Sequence, residues 1–259
     1  MQKQAKEIKK HLFLLGGHDL EMNAIIQLLE EHHLIYKDRS LQWNNAYLSQ
    51  YEQDLSLFKD NSSYKIYGIE LQEDIVPPSN YVRIDHHNQY TKLPSALEQI
   101  AELLHHPLNR WQQLIAINDK AYIPGLQQAG ASQEEILRIR FEDRKAQGVS
   151  INDELLAEKA IRENKEETEN LIVVRAYSDR FSPICDRLYP FKQLLIYTDK
   201  ELVYYGKGIP LLQKIFKEEL LAGKMFCGGG DNGYLGTKQK RYSFIELQTI
   251  INQIKQYMS

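Results

Sequence analysis

The feature that most constrains this chain is a recurring unit in its first half, in which a short apolar run ends on acidic or imidazole side chains and an amphipathic stretch follows. The runs are HLFLLGG (11–17), YKIYGIE (64–70), NYVRIDHH (80–87) and LIAIND (114–119). Each has the length and bounding residues of a buried strand. Between them, residues 21–33 space their apolar positions along one helix face, and residues 94–106 do the same with Pro94 at the start, where a helix tolerates it. Strand alternating with helix predicts a mainly parallel sheet with helices on both faces. In such a sheet the C-terminal strand ends line one crevice, where ligands bind.

What arrives at those strand ends is chemically specific. Asp19 and Glu21 follow the first run, Glu70 ends the second, Asp85, His86 and His87 end the third, and Asp119 ends the fourth. Converging carboxylates repel one another unless protons or a cation compensate, so the set predicts a bound divalent metal or strongly raised pKa values. Mixed oxygen and imidazole donors suit Mn2+ as a compromise, with Mg2+ and Zn2+ also compatible. Two such ions about 3.5–4 Å apart could activate a water and neutralise the charge on a phosphoryl group, which is what hydrolysis of a phosphoester or phosphoanhydride needs. Plainer roles exist for several of these residues: Asp19 fits the N-cap of the following helix, Glu21 complements its dipole, and Glu70 and Asp119 fit loop and turn positions.

The second half reads differently. Residues 132–169 are polar and of mixed charge, as expected of a solvated helix pair joining two lobes. From 171 onward, LIVVRAY and two aromatic-rich runs around Thr198-Asp199-Lys200 predict strands and a hairpin. Helices are expected over 209–223 and 243–258. The expected organisation is thus an N-terminal metal-binding domain (1–130), a helical connector (131–170) and a smaller α/β C-terminal domain (171–259). Tyr204, Tyr205 and Tyr234 could stack on a base, although strand-face packing explains the first two equally well.

Composition narrows the function classes. A net charge of −3, from 32 basic and 35 acidic residues, gives no footprint for tracking long nucleic acid. No stretch reaches the ~18 apolar residues of a membrane span, and the apolar run after the basic first residues is too short for a signal-peptide core, so those residues read as a tail entering a strand. Two cysteines without CxxC spacing fit a reducing, cytoplasmic setting. The partner expected is a small phosphorylated compound, and a homodimer is compatible with the sequence.

The run Asp85-His86-His87-Asn88 resembles the signature of the DHH phosphoesterase superfamily, and other motifs follow in order. Asp19-Leu20-Glu21 resembles the first Asp-x-Asp motif, Glu70 and Asp119 stand where single Asp residues end later strands, and Phe226-Cys227-Gly228-Gly229-Gly230 resembles the glycine motif of the DHH-associated domain. The resemblance implies a metal-dependent phosphoesterase in which Glu70 bridges two metals, Asp19 serves one, and Glu21, His86 and Asp119 serve the other. It implies that His87, with Asp85, contacts the scissile phosphate or protonates the leaving group, and that the backbone of Gly228, Gly229 and Gly230 holds substrate. Arg180, Arg175 and Lys207 are the cations to test for phosphate contact, Arg180 first because it lies in the Ser178-Asp179-Arg180 loop after a strand. The chain also departs from the pattern. Leu15 stands where a metal-binding His is usual, with His18 the only nearby substitute, and Glu replaces Asp at positions 21 and 70. Asp231 follows the glycines where a His is common. A diverged member is expected, or a nucleotide- or phosphate-binding module with a degenerate metal site.

Overall fold

The computed structural model describes residues 10–59, 61, 63–238 and 241–258. The segment read as an N-terminal tail, residues 1–9, lies outside them. The chain divides into two compact units, 1–148 and 149–259.

The first unit contains β1 (Lys10–Leu15), α1 (Leu20–Glu31), β2 (Ile35–Lys37), α2 (Glu52–Phe58), β3 (Tyr64–Ile69), β4 (Tyr81–Ile84), α3 (Ala96–Leu103), α4 (Arg110–Gln128) and α5 (Gln133–Ala146). Its sheet runs β2-β1-β3-β4, and every pairing is parallel. Central strand β1 is buried on both faces from Leu12 to Leu15, which explains its unbroken apolar run. Leu12 and Leu14 pack with Leu48, Tyr51 and Ile66, and each fully buried leucine contributes about 1.5–3 kcal/mol.

One expected strand is a helix. The run 114–119 lies inside α4, which begins at Asn109, where the Asn109 and Gln112 side chains cap each other's backbone N–H. An apolar run of this length does not distinguish strand from helix by periodicity, and the capping box upstream was the deciding signal. The fourth strand is instead β2, three residues at the sheet edge that carry little apolar pattern. The helix α4 breaks at Tyr122 (φ 54°, ψ −152°), two residues before Pro124.

The second unit contains α6 (Ile151–Asn164), β5 (Lys165–Glu167), β6 (Ile172–Arg175), α7 (Ser182–Leu188), β7 (Gln193–Tyr197), β8 (Leu202–Gly206), α8 (Ile209–Ile215), α9 (Lys217–Leu221), β9 (Met225–Gly228), β10 (Tyr234–Thr237) and α10 (Phe244–Met258). Its mixed sheet runs β5-β6-β7-β8-β10-β9, with β6 and β7 parallel and β7 and β8 forming the hairpin around Thr198-Asp199-Lys200. Val173 and Leu195 face a core shared with Leu247 and Ile251, while Val174, Leu194 and Ile196 face Ala157 and Ile184, which is the two-residue alternation of a sheet covered on both sides. The polar stretch 131–170 is divided between the units: α5 packs on α1 and α4, and α6 packs on α7 and β6. No described helix is long and apolar enough to cross a membrane.

Candidate metal centre

In the first unit the strand ends bring the sequence-selected carboxylates and imidazoles together. Asp19 caps α1, its Oδ1 accepting the Met22 N–H at 2.8 Å. Glu21, on the first turn of α1, accepts the Leu97 N–H at 3.1 Å through Oε1 and so ties α1 to the start of α3. Glu70 follows β3 in the left-handed region (φ 52°), a conformation that costs a non-glycine residue about 1–3 kcal/mol. Gly16 permits this close approach, because a Cβ there would lie 2.5 Å from the carbonyl oxygens of Ile69 and Glu70. His86 follows β4, and Asp119 enters from α4 one turn before its break.

The polar atoms of this group meet as close ion pairs that lack hydrogen-bond geometry. His86 Nε2 lies 2.5 Å from Asp119 Oδ2, 3.2 Å from Glu70 Oε1 and 3.5 Å from Glu21 Oε2. None of these atoms has a hydrogen-bond partner of acceptable angle, nor does Glu70 Oε2, and all are buried. The contacts are close but oblique, as expected of side chains converging on a common point. A buried polar atom without a hydrogen bond costs about 1–3 kcal/mol, so five of them in one place favour a further partner beyond the ion pairs to His86. Glu70, His86, His87 and Asp119 each offer one ligand atom within 4.8 Å of the others. The donor set fits a divalent cation.

The charge states agree. Burial raises Asp19, Glu70 and Asp119 above their ordinary values; Glu70 is also raised by Glu21 and Asp119, and Asp19 by Asp119. Burial alone would depress His86, but Asp119, Glu21 and Glu70 overcome it and push the imidazole up to about 12. Burial would also raise Glu21, yet His86, Ser95 and the Leu97 N–H hold it below its ordinary value. Without a cation the cluster holds extra protons, which a divalent ion would displace.

Asp85 stands apart from the converging atoms. Its Oδ1 accepts the His87 backbone N–H at 2.9 Å and lies 3.3 Å from His87 Nδ1, while Arg83 donates to Oδ2 at 3.5 Å. Burial opposes ionisation of Asp85, but the His87 and Arg83 contacts prevail and keep its pKa low. Asp85 therefore orients His87, whose ring is 40% exposed beside the cluster. His18 turns away and pairs with Asp38 at 3.2 Å. Leu15 is fully buried, and its carbonyl accepts the Tyr51 hydroxyl at 2.6 Å. No imidazole therefore occupies the position that Leu15 takes in the sequence motif.

The remaining candidates lie in the second unit. Arg175 donates to both carboxylate oxygens of Asp199 at 3.0 and 3.2 Å, on the wall of a cavity of about 480 Å³ that Tyr177, Ser178 and Lys200 also line. The Arg180 N–H is held by the Ser178 hydroxyl at 3.2 Å, and the Lys207 carbonyl accepts the Tyr204 hydroxyl. Gly228 ends β9, and Gly229 and Gly230, both at positive φ, lie in the turn that leads to β10. Tyr204 is fully buried in the core, which corrects its reading as a base-stacking residue. Tyr205 is half-buried, and Tyr234 is exposed beside Phe226.

A second buried polar cluster escaped the sequence reading. In α5, Arg140 donates to Asn118 Oδ1 at 3.0 Å and to Asp143 Oδ2 at 2.7 Å, and its guanidinium lies 4.4 Å from the centre of the Tyr122 ring. Asp143 Oδ1 in turn accepts from Gln147 at 3.2 Å and from the Leu20 N–H at 3.4 Å. The signal was Ile136, Ile139, Arg140 and Asp143 at helical spacing, which puts charge on the face that buries the isoleucines.

No protein-family model and no curated protein matches the sequence. Among solved structures, the chain is similar to the DHH domain of PF0399, described as a member of a family of ribosomal proteins, at 11% identity and TM-score 0.51, over 96% of this chain and 86% of that one. Weaker likenesses are to the pGpG-specific phosphodiesterase PggH from Vibrio cholerae (14% identity, TM-score 0.48, 96% and 99% covered) and to a manganese-bound exonuclease RecJ (10%, 0.49, 93% and 88%). The PF0399 match carries the fold assignment: the chain has the DHH-type α/β fold, and Asp85-His86-His87 ends its third long parallel strand.

Proposed function

We propose that this chain is a diverged member of the DHH phosphoesterase superfamily, a metal-dependent phosphohydrolase acting on a small phosphorylated compound such as a nucleotide or short oligonucleotide. The observation that carries the reading is the group of buried atoms on Glu21, Glu70, His86 and Asp119 that converge without forming hydrogen bonds. Glu70, His86 and Asp119 would hold the ion, with Glu21 and Asp19 beside them, and Mn2+ suits this oxygen and imidazole set best. When bound, the ion supplies Lewis acidity and lowers the pKa of water. His87 contacts the phosphate or delivers a proton to the leaving oxygen, and Asp85 fixes the imidazole by accepting from Nδ1. The exposed Arg180 is the first cation to examine for phosphate contact, followed by Arg175 and Lys207, with the backbone of Gly228, Gly229 and Gly230 as further anion donors. The two free cysteines accord with a reducing, cytoplasmic setting.

Leu15 and the diversion of His18 to Asp38 favour one strongly held ion over two. They also support the second reading, a phosphate-binding module without turnover. Hydrolysis of phosphomonoesters and dinucleotides with Mn2+ separates the two. The enzyme reading predicts Mn2+-dependent turnover that His86→Ala abolishes and Asp85→Asn lowers. Ligand-induced stabilisation without turnover in Mn2+ would favour the binding module.

A further inference from the structure

We propose that the indole of Trp43 is a stacking platform for the base of a nucleotide bound at the candidate metal centre, an inference that rests on the phosphoesterase reading of that centre. Trp43 opens a short 3-10 turn after β2 and is 46% exposed, a large aromatic surface left to water beside His87, at the edge of the carboxylate and imidazole group. Its position is fixed on two sides. A Cβ at Gly17 would lie 2.5 Å from indole Cδ2 and 2.7 Å from Cε2 and Cε3, so the ring lies against the bare backbone just beyond β1. The His87 ring meets it at 5.6 Å and 61°, an edge-to-face contact.

The turn itself is braced. The Gln42 N–H donates to Asn45 Oδ1 at 2.9 Å, the Asn45 N–H returns to the Gln42 carbonyl at 2.9 Å, and Leu41 bridges to Gly17. An indole held this way loses little freedom when a ligand covers it, which is what makes stacking favourable. Tyr90, an aromatic shortly after the Asp85-His86-His87 run, is already covered by the Arg83 guanidinium at 4.7 Å. His87 links the two functions: one contact takes it to Asp85 and Glu70, and another to Trp43. A phosphate at His87 would thus place an attached nucleoside within reach of the indole, and every base has a face that can stack.

The chain has two tryptophans, so Trp111→Phe leaves Trp43 as the sole indole reporter. This protein is titrated with GMP and with ribose 5-phosphate, each in Mn2+ and in chelator, and turnover is assayed in parallel. GMP is expected to quench the emission saturably, and ribose 5-phosphate is not. In competition, Trp43→Ala should weaken GMP about 5- to 100-fold more than ribose 5-phosphate, with Trp43→Phe retaining most of the preference. Equal weakening of both ligands, or no quenching by GMP, overturns the platform, the first result reducing Trp43 to a support for His87. Quenching by GMP without turnover on any phosphoester would sink the hydrolase reading and leave the platform standing. Turnover without quenching does the reverse.

Discussion

Two clusters of buried charge are built on the same helix, and they end in opposite states. Asn118 and Asp119 are adjacent in α4; the first accepts from Arg140, and the second enters the group around His86. Around Arg140 and Asp143, each carboxylate oxygen of Asp143 has a donor. Around His86, five side-chain atoms are buried without a hydrogen bond. The fold thus satisfies buried charge on one side of α4 and leaves it open on the other. That contrast separates a structural ion pair from the candidate cation site.

The largest expected effect lies on the satisfied side. Asp143→Ala removes the carboxylate that Arg140, Gln147 and the Leu20 N–H share, and should cost about 3–5 kcal/mol of unfolding free energy, read by urea titration. A change under about 1 kcal/mol would remove the distinction between the clusters. On the open side the sign reverses. Glu70→Gln removes a carboxyl whose ionisation burial and neighbouring carboxylates oppose, so the metal-free protein should become more stable while Mn2+ affinity falls about 100-fold or more. Thermal unfolding with and without Mn2+ reads both effects.

The pH response sharpens the same contrast. Asp19, Glu70 and Asp119 have raised folded-state values and His86 is held at about 12, so the folded metal-free protein retains protons that the unfolded chain has released. Their stabilising contribution is complete below the unfolded values, about 4 for the carboxyls and about 6.5 for His86, and is lost as pH rises through the folded ones. Glu21 and Asp85 are depressed and carry the opposite sign, but only at pH below about 4.5. The melting temperature in chelator should therefore fall from pH 5 to pH 8, and the gain from Mn2+ should grow over the same range. A flat profile in chelator would contradict the proton-loaded state.

The smallest effect concerns Asp19, which serves as an N-cap whatever else it does. Asp19→Ala should cost about 1 kcal/mol through the lost cap, and Asp19→Asn, which still caps, only a few tenths. If both weaken Mn2+ binding equally, Asp19 acts as a ligand. If only the alanine variant does, it acts through α1.

Much of the site was legible in the sequence because carboxylates and imidazoles after short apolar runs need few structural assumptions. Asp19, Glu70 and His86 reached the crevice from the segments expected to carry them. Asp119 arrived on a helix and not on a strand: Asn109 and Gln112 outweighed the β-branched Ile115 and Ile117, and α4 stops at Tyr122 with Asp119 still at the cluster. Trp43 and Arg140 were not legible. The first depends on a bare glycine backbone after β1, and the second on which face of a charged helix is buried.

The most direct test of the central claim is titration of metal-free protein with Mn2+, followed by the loss of the free-ion electron paramagnetic resonance signal, for the native chain and for Glu70→Gln and His86→Ala. One stoichiometric site is expected in the native protein, and both substitutions should weaken it about 100-fold or more. The absence of any stoichiometric site, or a site of unchanged affinity in both variants, would contradict the claim.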